Sequence, residues 1–267
     1  MEVPMFFSFG LRKYFRVVLA CFFLAISVTA FARPRAEVHP SDEKVIVAST
    51  SWVAAIAEAA GARNVRILAP VELRHPPEYE LRPSDIALIS MADVVLYAGW
   101  ERFAQKLVET TGSGATLVQV RVENEPDILK EEAQRIASIL GTEDYFLAWR
   151  SEFELFTQDL RSRIHQAYPD RRAVVQRMQL PLFRWLGFDI VGEYGPAEPS
   201  LALILELARL APVVVVDNFH NPSGMPIAAT AGVPYAVLIN FPGKDGTATL
   251  IDVFRYNAEA LINAKGQ

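Results

Sequence analysis

A chain of 267 residues that is 51% hydrophobic and 21% charged carries enough apolar material for one large or two small globular domains. Its formal charge of −5 argues against nucleic acid or an anionic membrane surface as a partner, because both select basic faces. A single cysteine, Cys21, excludes an intramolecular disulfide framework.

The N-terminus reads as an export signal. Arg12, Lys13 and Arg16 form a basic region, Val17–Val28 an apolar run, and Ala30-Phe31-Ala32 a small-x-small cleavage site. The run is shorter than the about 20 residues needed to span a bilayer. Residues 1–32 are therefore predicted to be removed by a cut after Ala32, with an uncleaved N-terminal anchor as the alternative. Val18-Leu19-Ala20-Cys21 loosely resembles a lipoprotein box, but Cys21 sits inside the apolar run rather than at its end, which favours a soluble mature chain without stable membrane insertion. Cleavage would remove the only cysteine, and thiolate metal ligation with it.

From there, short apolar runs alternate with segments of helical period. Strands are predicted at Val45–Ala48, Val65–Ala69, Val94–Ala98 and Thr116–Val122, with helices at Ser51–Ala60, Pro83–Met91 and Glu101–Thr110 between them. Residues 127–168 show almost no strand signal and read as helical, broken near Gly141 and closed by Pro169-Asp170. The second half repeats the alternation. Its strands are Ala173–Val175, Phe188–Val191, Val213–Val216 and Tyr235–Ile239, and its helices Ser200–Leu210 and Leu250–Ala264. Continuous runs such as Val213-Val214-Val215-Val216 mark strands covered on both faces. The fold class is α/β: two Rossmann-like lobes with mainly parallel sheets, at residues 33–126 and 169–267, connected by the helical segment 127–168.

Four histidines can be sorted by context. His39 falls in a polar segment near the predicted mature terminus, and His165 late in the central helix among Arg161, Arg163 and Gln166, where a cation suits a helix C-terminus. His75 follows a strand end in a loop stiffened by Pro76 and Pro77, which suits either a ligand at a cleft edge or a surface histidine stacked on proline. His220 follows the apolar run ending in Asp217, before a turn and the helix-like run from Gly224 to Ala231. A buried Asp217 would either coordinate a cation or cap the following helix. Imidazole and carboxylate without thiolate suit zinc or manganese. Trp52 and Trp100 follow strand-like runs and could line a cleft, although core burial is the commoner role of tryptophan.

The block from Pro76 to Ile86, P-P-E-Y-E-L-R-P-S-D-I, followed by Ala92-Asp93-Val94-Val95-Leu96-Tyr97-Ala98-Gly99, resembles the ligand-loop signature of periplasmic zinc/manganese-binding proteins that feed ABC importers. Glu198-Pro199-Ser200 is similar to a second segment of that family. The resemblance implies two α/β lobes joined by a long rigid backbone helix, a small opening motion, a periplasmic location, an ABC permease as partner and a monomer. It implies a metal held between the lobes; position by position only Asp217 keeps a family ligand, and His75 from the first lobe and His220 from the second, with Glu78 or Asp127, could form a relocated site with it. The chain departs from the family at named positions. Pro77 stands where the family has histidine, and His75 lies two residues earlier. Glu125-Pro126-Asp127-Ile128-Leu129 lacks the second histidine, the Gln176–Gln179 region lacks the third, and Asn240-Phe241-Pro242-Gly243 lacks the final aspartate.

These readings predict a binding protein that captures zinc or manganese and delivers it to a permease. The runner-up is the same fold holding another small ligand, such as a metal chelate. A third class, a metal hydrolase built on His75, Asp217 and His220, would need Glu78 or Glu193 as base. G-x-S-x-G and H-E-x-x-H motifs are both absent.

Overall fold

The computed structural model describes residues 44–71, 73, 78–112 and 114–266. The export signal, Cys21, His39 and His75 with its prolines lie outside the described residues.

The first sheet contains β1 (Ile46–Ala48), β2 (Arg66–Ile67), β3 (Val94–Tyr97) and β4 (Thr116–Gln119) in the order β2-β1-β3-β4, all parallel. Helices α1 (Ser51–Ala59), α2 (Pro83–Ser90) and α3 (Ala104–Thr110) connect them. After α4 (Pro126–Leu140) and α5 (Glu143–Ala167) comes the second sheet. It comprises β5 (Arg172–Gln176), β6 (Asp189–Tyr194), β7 (Val214–Asn218) and β8 (Tyr235–Leu238), ordered β6-β5-β7-β8 and again parallel. Its connections are α6 (Leu180–Leu186), α7 (Leu201–Arg209) and α8 (Met225–Ala231), and α9 (Leu250–Ala264) closes the chain. The two-lobed α/β architecture read from the sequence is the one observed.

Side-chain alternation explains the continuous apolar runs. Ile46, Ala48, Val94 and Leu96 point into the large central core, while Val47 and Val95 point the other way, against Ile89, Phe103 and Leu107. In the second sheet Ala173, Val175, Val214 and Val216 face the central core, and Val174 and Val215 pack on Leu207 and Ile227. Both faces of each sheet are covered, which is why the central strands read as unbroken apolar runs. The central core is shared, running from Ile46 in the first lobe through Phe153 in α5 to Leu261 in α9 without a break.

The expected long connecting helix is present as α5, with α4 as a separate piece before it. Gly141 sets the break. Its φ of 74° is left-handed, and the N–H groups of Gly141 and Thr142 both return to the Ala137 carbonyl, a glycine-dependent helix stop. Phe146, Phe153, Leu160 and Ile164 form the buried stripe of α5, at helical spacing. His165, expected on a solvated face, instead donates from Nε2 to the Leu186 carbonyl at 2.6 Å, tying α5 to the end of α6. Helix α6 escaped the sequence reading because Pro181 and only seven residues give it no full apolar period. Strand β4 is shorter than expected: beyond Gln119 the chain leaves the sheet, and Val120–Asn124 run along a cavity wall. Among the described residues no helix is long and apolar enough to cross a membrane.

Candidate functional site

All eight strands deliver their carboxyl ends to one side, the position at which open α/β sheets bind ligands. A cavity of about 1030 Å³ lies there, between the lobes. The first lobe contributes Trp52 at the start of α1, Trp100 after β3, and residues 119–124 after β4. The second contributes Gln176 and Arg177 after β5, Asn218 and His220 at the end of β7, and Asn240 and Phe241 after β8.

Aromatic rings form a continuous wall across the lobe boundary. Trp100 meets Trp52 edge-on at 6.4 Å, Trp52 meets Phe241 at 5.7 Å, and Phe241 stacks on the His220 imidazole at 4.0 Å and 15°. Trp52 is nearly buried but Trp100 is 45% exposed. Of the two roles open to these tryptophans, the structure gives Trp52 both, cavity wall and core member.

Direct bonds pin the lobes together beside that wall. Ser51 Oγ donates to the Pro242 carbonyl at 2.9 Å, and Asn124 Nδ2 to the Ile239 carbonyl at 3.4 Å. Gly243, at φ 134°, approaches so closely that a Cβ would lie 2.8 Å from the Val71 carbonyl oxygen.

The polar part of the remaining lining is amide, guanidinium and carboxylate, from Gln119, Asn124, Gln176, Arg177, Glu123 and Glu132 among others. Buried Glu132 on α4 accepts from Arg121 Nε at 2.8 Å and from Arg135 Nη2, whose guanidinium also reaches the Gln119 carbonyl at 2.6 Å. Burial opposes ionisation of Glu132, but the hydrogen bonds from Arg135 and Arg121 outweigh it and hold its carboxyl below the ordinary glutamate value. A depressed carboxyl contributes stability that is present above the unfolded-state pKa and lost as pH falls through the folded one. Melting temperature is therefore expected to fall on acidification below about pH 4.3, and a Glu132→Gln variant to show a shallower decline in the same scan.

Three lining side chains hold buried polar atoms with no protein partner: Trp52 Nε1, Asn124 Oδ1 and Gln176 Nε2. The far end of each amide is fixed, since Asn124 Nδ2 donates to Ile239 and Gln176 Oε1 accepts the Met178 N–H at 2.6 Å. These contacts leave Asn124 an acceptor and Gln176 a donor.

The candidate ligands that fall among the described residues do not converge. His220 lines the cavity. Asp217, fully buried one residue below the strand end, is absent from the lining. Its Oδ1 accepts the Asn218 N–H, and its Oδ2 accepts the N–H groups of Ser223 and Gly224 and the Tyr235 hydroxyl, at 2.6–2.8 Å. Four donors thus engage the carboxylate, three of them on Oδ2, and it braces the turn at Ser223 and Gly224 that leads into α8. Burial, and then the Asp217 carboxylate, push the Tyr235 phenol up, so it stays a donor. Asp127 is exposed in the first turn of α4, paired with Lys130 at 2.8 Å. Glu78 is exposed, 3.9 Å from Arg102, and Glu193 lies 3.6 Å from Arg184 on β6. Among the described residues no group of three His, Cys, Asp or Glu side chains is placed to hold a metal ion.

What the sequence reading missed as site residues are the amides. Gln176 and Asn240 had been marked as places where a histidine and an aspartate were lacking, and both line the cavity. The available signal was position: several apolar strand runs end in an amide residue, Gln119, Gln176, Asn218 and Asn240.

No protein-family model and no curated protein matches this chain. Among solved structures, the chain is similar to the Mn-bound periplasmic metal binding protein from Candidatus Liberibacter asiaticus, at 18% identity and a TM-score of 0.65, over 82% of this chain and 98% of that one. Another structure of that protein matches at 19% identity and a TM-score of 0.67, over 83% and 99%. The laminin-binding protein Lbp of Streptococcus pyogenes matches at 17% identity and a TM-score of 0.64, over 83% and 98%. The likeness extends over nearly the whole of those chains. What this chain shares with these metal-binding and laminin-binding proteins is a two-lobed α/β fold.

Proposed function

We propose that this chain is an exported binding protein, not an enzyme, that holds a divalent metal in chelated form between its lobes and passes it to an ABC permease. The periplasm is the compartment that fits the signal-like N-terminus. The observation that carries this reading is the cavity itself. Its about 1030 Å³ matches the range of small-molecule sites and far exceeds a single ion. Its walls combine aromatic and aliphatic side chains with amide, guanidinium and carboxylate groups, which suit an organic shell around a metal better than a naked cation. Structures of the similar Liberibacter protein carry manganese and cadmium, which supports a metal as part of the cargo here.

A second reading, capture of a bare zinc or manganese ion, is favoured by His220 in the cavity wall. It would need His75, which lies outside the described residues, and further donors.

Thermal unfolding of EDTA-stripped protein separates the two. Manganese or zinc chloride alone should leave the melting temperature in place, whereas the citrate complex of the same metal should raise it saturably. A ligand at a hundredfold excess over its dissociation constant adds about 2.7 kcal/mol to apparent stability. A full rise with the chlorides, abolished by His220→Ala and weakened from pH 7.5 to about 5.5 as imidazole protonates, would establish the bare-ion reading instead.

A further inference from the structure

The three orphaned polar atoms and the aromatic wall specify more than an unspecified chelate. Trp52 Nε1 and Gln176 Nε2 are buried donors lacking an acceptor, and Asn124 Oδ1 is a buried acceptor lacking a donor. Orphaned polar atoms at this depth are rare, because each forfeits its bond to water. Three around one cavity indicate that a ligand completes them. The stacked pair His220–Phe241 and the neighbouring Trp52 offer flat faces on which a planar ring gains both burial and quadrupole contact. Arg177 also lines the cavity, as do Glu123 and the Arg121 and Arg135 guanidinium groups paired with Glu132, so Arg177 is the cation against which an acid group would sit.

We propose that the organic part of the cargo is a hydroxy-substituted aromatic carboxylate. The hydroxyl would donate to Asn124 Oδ1, ring or carboxyl oxygens would accept from Trp52 and Gln176, and the acid group would face Arg177. This class chelates metals through adjacent oxygens, so the inference rests on the chelate reading above and gives it a chemical identity.

Isothermal titration of the EDTA-stripped protein with 2,3-dihydroxybenzoate, with and without manganese, tests it against cyclohexanecarboxylate, which keeps the acid but loses the flat face and the hydroxyls. Saturable binding of the aromatic acid, at least tenfold tighter than the alicyclic one, is expected. Trp52→Phe removes one donor and keeps the ring, and should weaken the aromatic acid by about tenfold. Gln176→Glu keeps the acceptor for Met178 and puts a carboxylate where a donor stood, and should weaken it by more than tenfold. Circular dichroism melting confirms that each variant is folded. Equal affinity for the two acids, indifference to both substitutions, or no binding of dihydroxybenzoate would overturn the ligand class. If manganese chloride alone then raised the melting temperature fully, the chelate reading would fall too. If manganese citrate still bound and the chloride did not, only the aromatic class would fall.

Discussion

Replacing Asp217 by alanine is expected to lower the unfolding free energy by about 3 kcal/mol or more, even though the residue contacts no ligand in the cavity. The carboxylate is fully buried and accepts from three backbone N–H groups and one phenol. Its removal strands all four donors, and a buried donor left without a partner costs about 1–3 kcal/mol. Water entering the space would recover part of that. The damage should be local in origin, because three of the four donors lie within residues 218–224, the loop that carries His220 and Asn221 into the cavity wall. Gly224 adds to the constraint, since a Cβ there would lie 1.9 Å from the Tyr194 hydroxyl, which itself donates to the Val216 carbonyl at 2.9 Å. Urea unfolding reads the result directly. A loss below about 1 kcal/mol would mean that the four donors find other partners and that the carboxylate is not the brace described.

The second large effect is expected at Phe153. It is fully buried in the middle of α5, stacked on Trp149 at 4.7 Å and edge-on to Phe254 of α9 at 5.5 Å. Phenylalanine-to-alanine changes at such sites cost about 3–5 kcal/mol through lost transfer energy and the cavity left behind. Because Phe153 belongs to the core shared by both lobes, Phe153→Ala should lower the midpoint of one cooperative transition. If the two halves instead unfolded in separate steps, with only one of them shifted, the core would not be energetically continuous.

How far the sequence could be read differed between backbone and site. The sheets were legible because strands buried on both faces become unbroken apolar runs, as Val213–Val216 did, and because Gly141 marks a helix end by chemistry alone. Helix α6 was not, since a short helix opening on a 3-10 turn at Arg177–Gln179 presents no period to detect. In the site, His220 and the two cleft tryptophans were visible as residue types that often serve ligands. Asp217 was visible too, but whether a carboxylate at a strand end coordinates or braces depends on which donors surround it. Those donors are fixed by the tertiary turn at Ser223 and Gly224 and by Tyr235 on the neighbouring strand. The amides escaped notice as site residues because glutamine and asparagine serve equally well as caps, turns and ligand contacts. Only their orphaned atoms, a property of the folded cavity, separate the last role from the others. Ser200, part of a segment that resembled a family motif, accepts the Leu203 N–H as the cap of α7.

The unbroken core has a consequence for how cargo leaves. Prising the lobes apart would wet the apolar surface that α5 and α9 now seal, at about 25 cal/mol per Å². Each 100 Å² so wetted would cost about 2.5 kcal/mol, against about 5–15 kcal/mol for the whole stability of a typical domain. If the cavity holds a ligand as proposed, exchange past half-exposed Trp100 at the rim would leave that seal intact, so its rate would be set by one indole and not by a hinge.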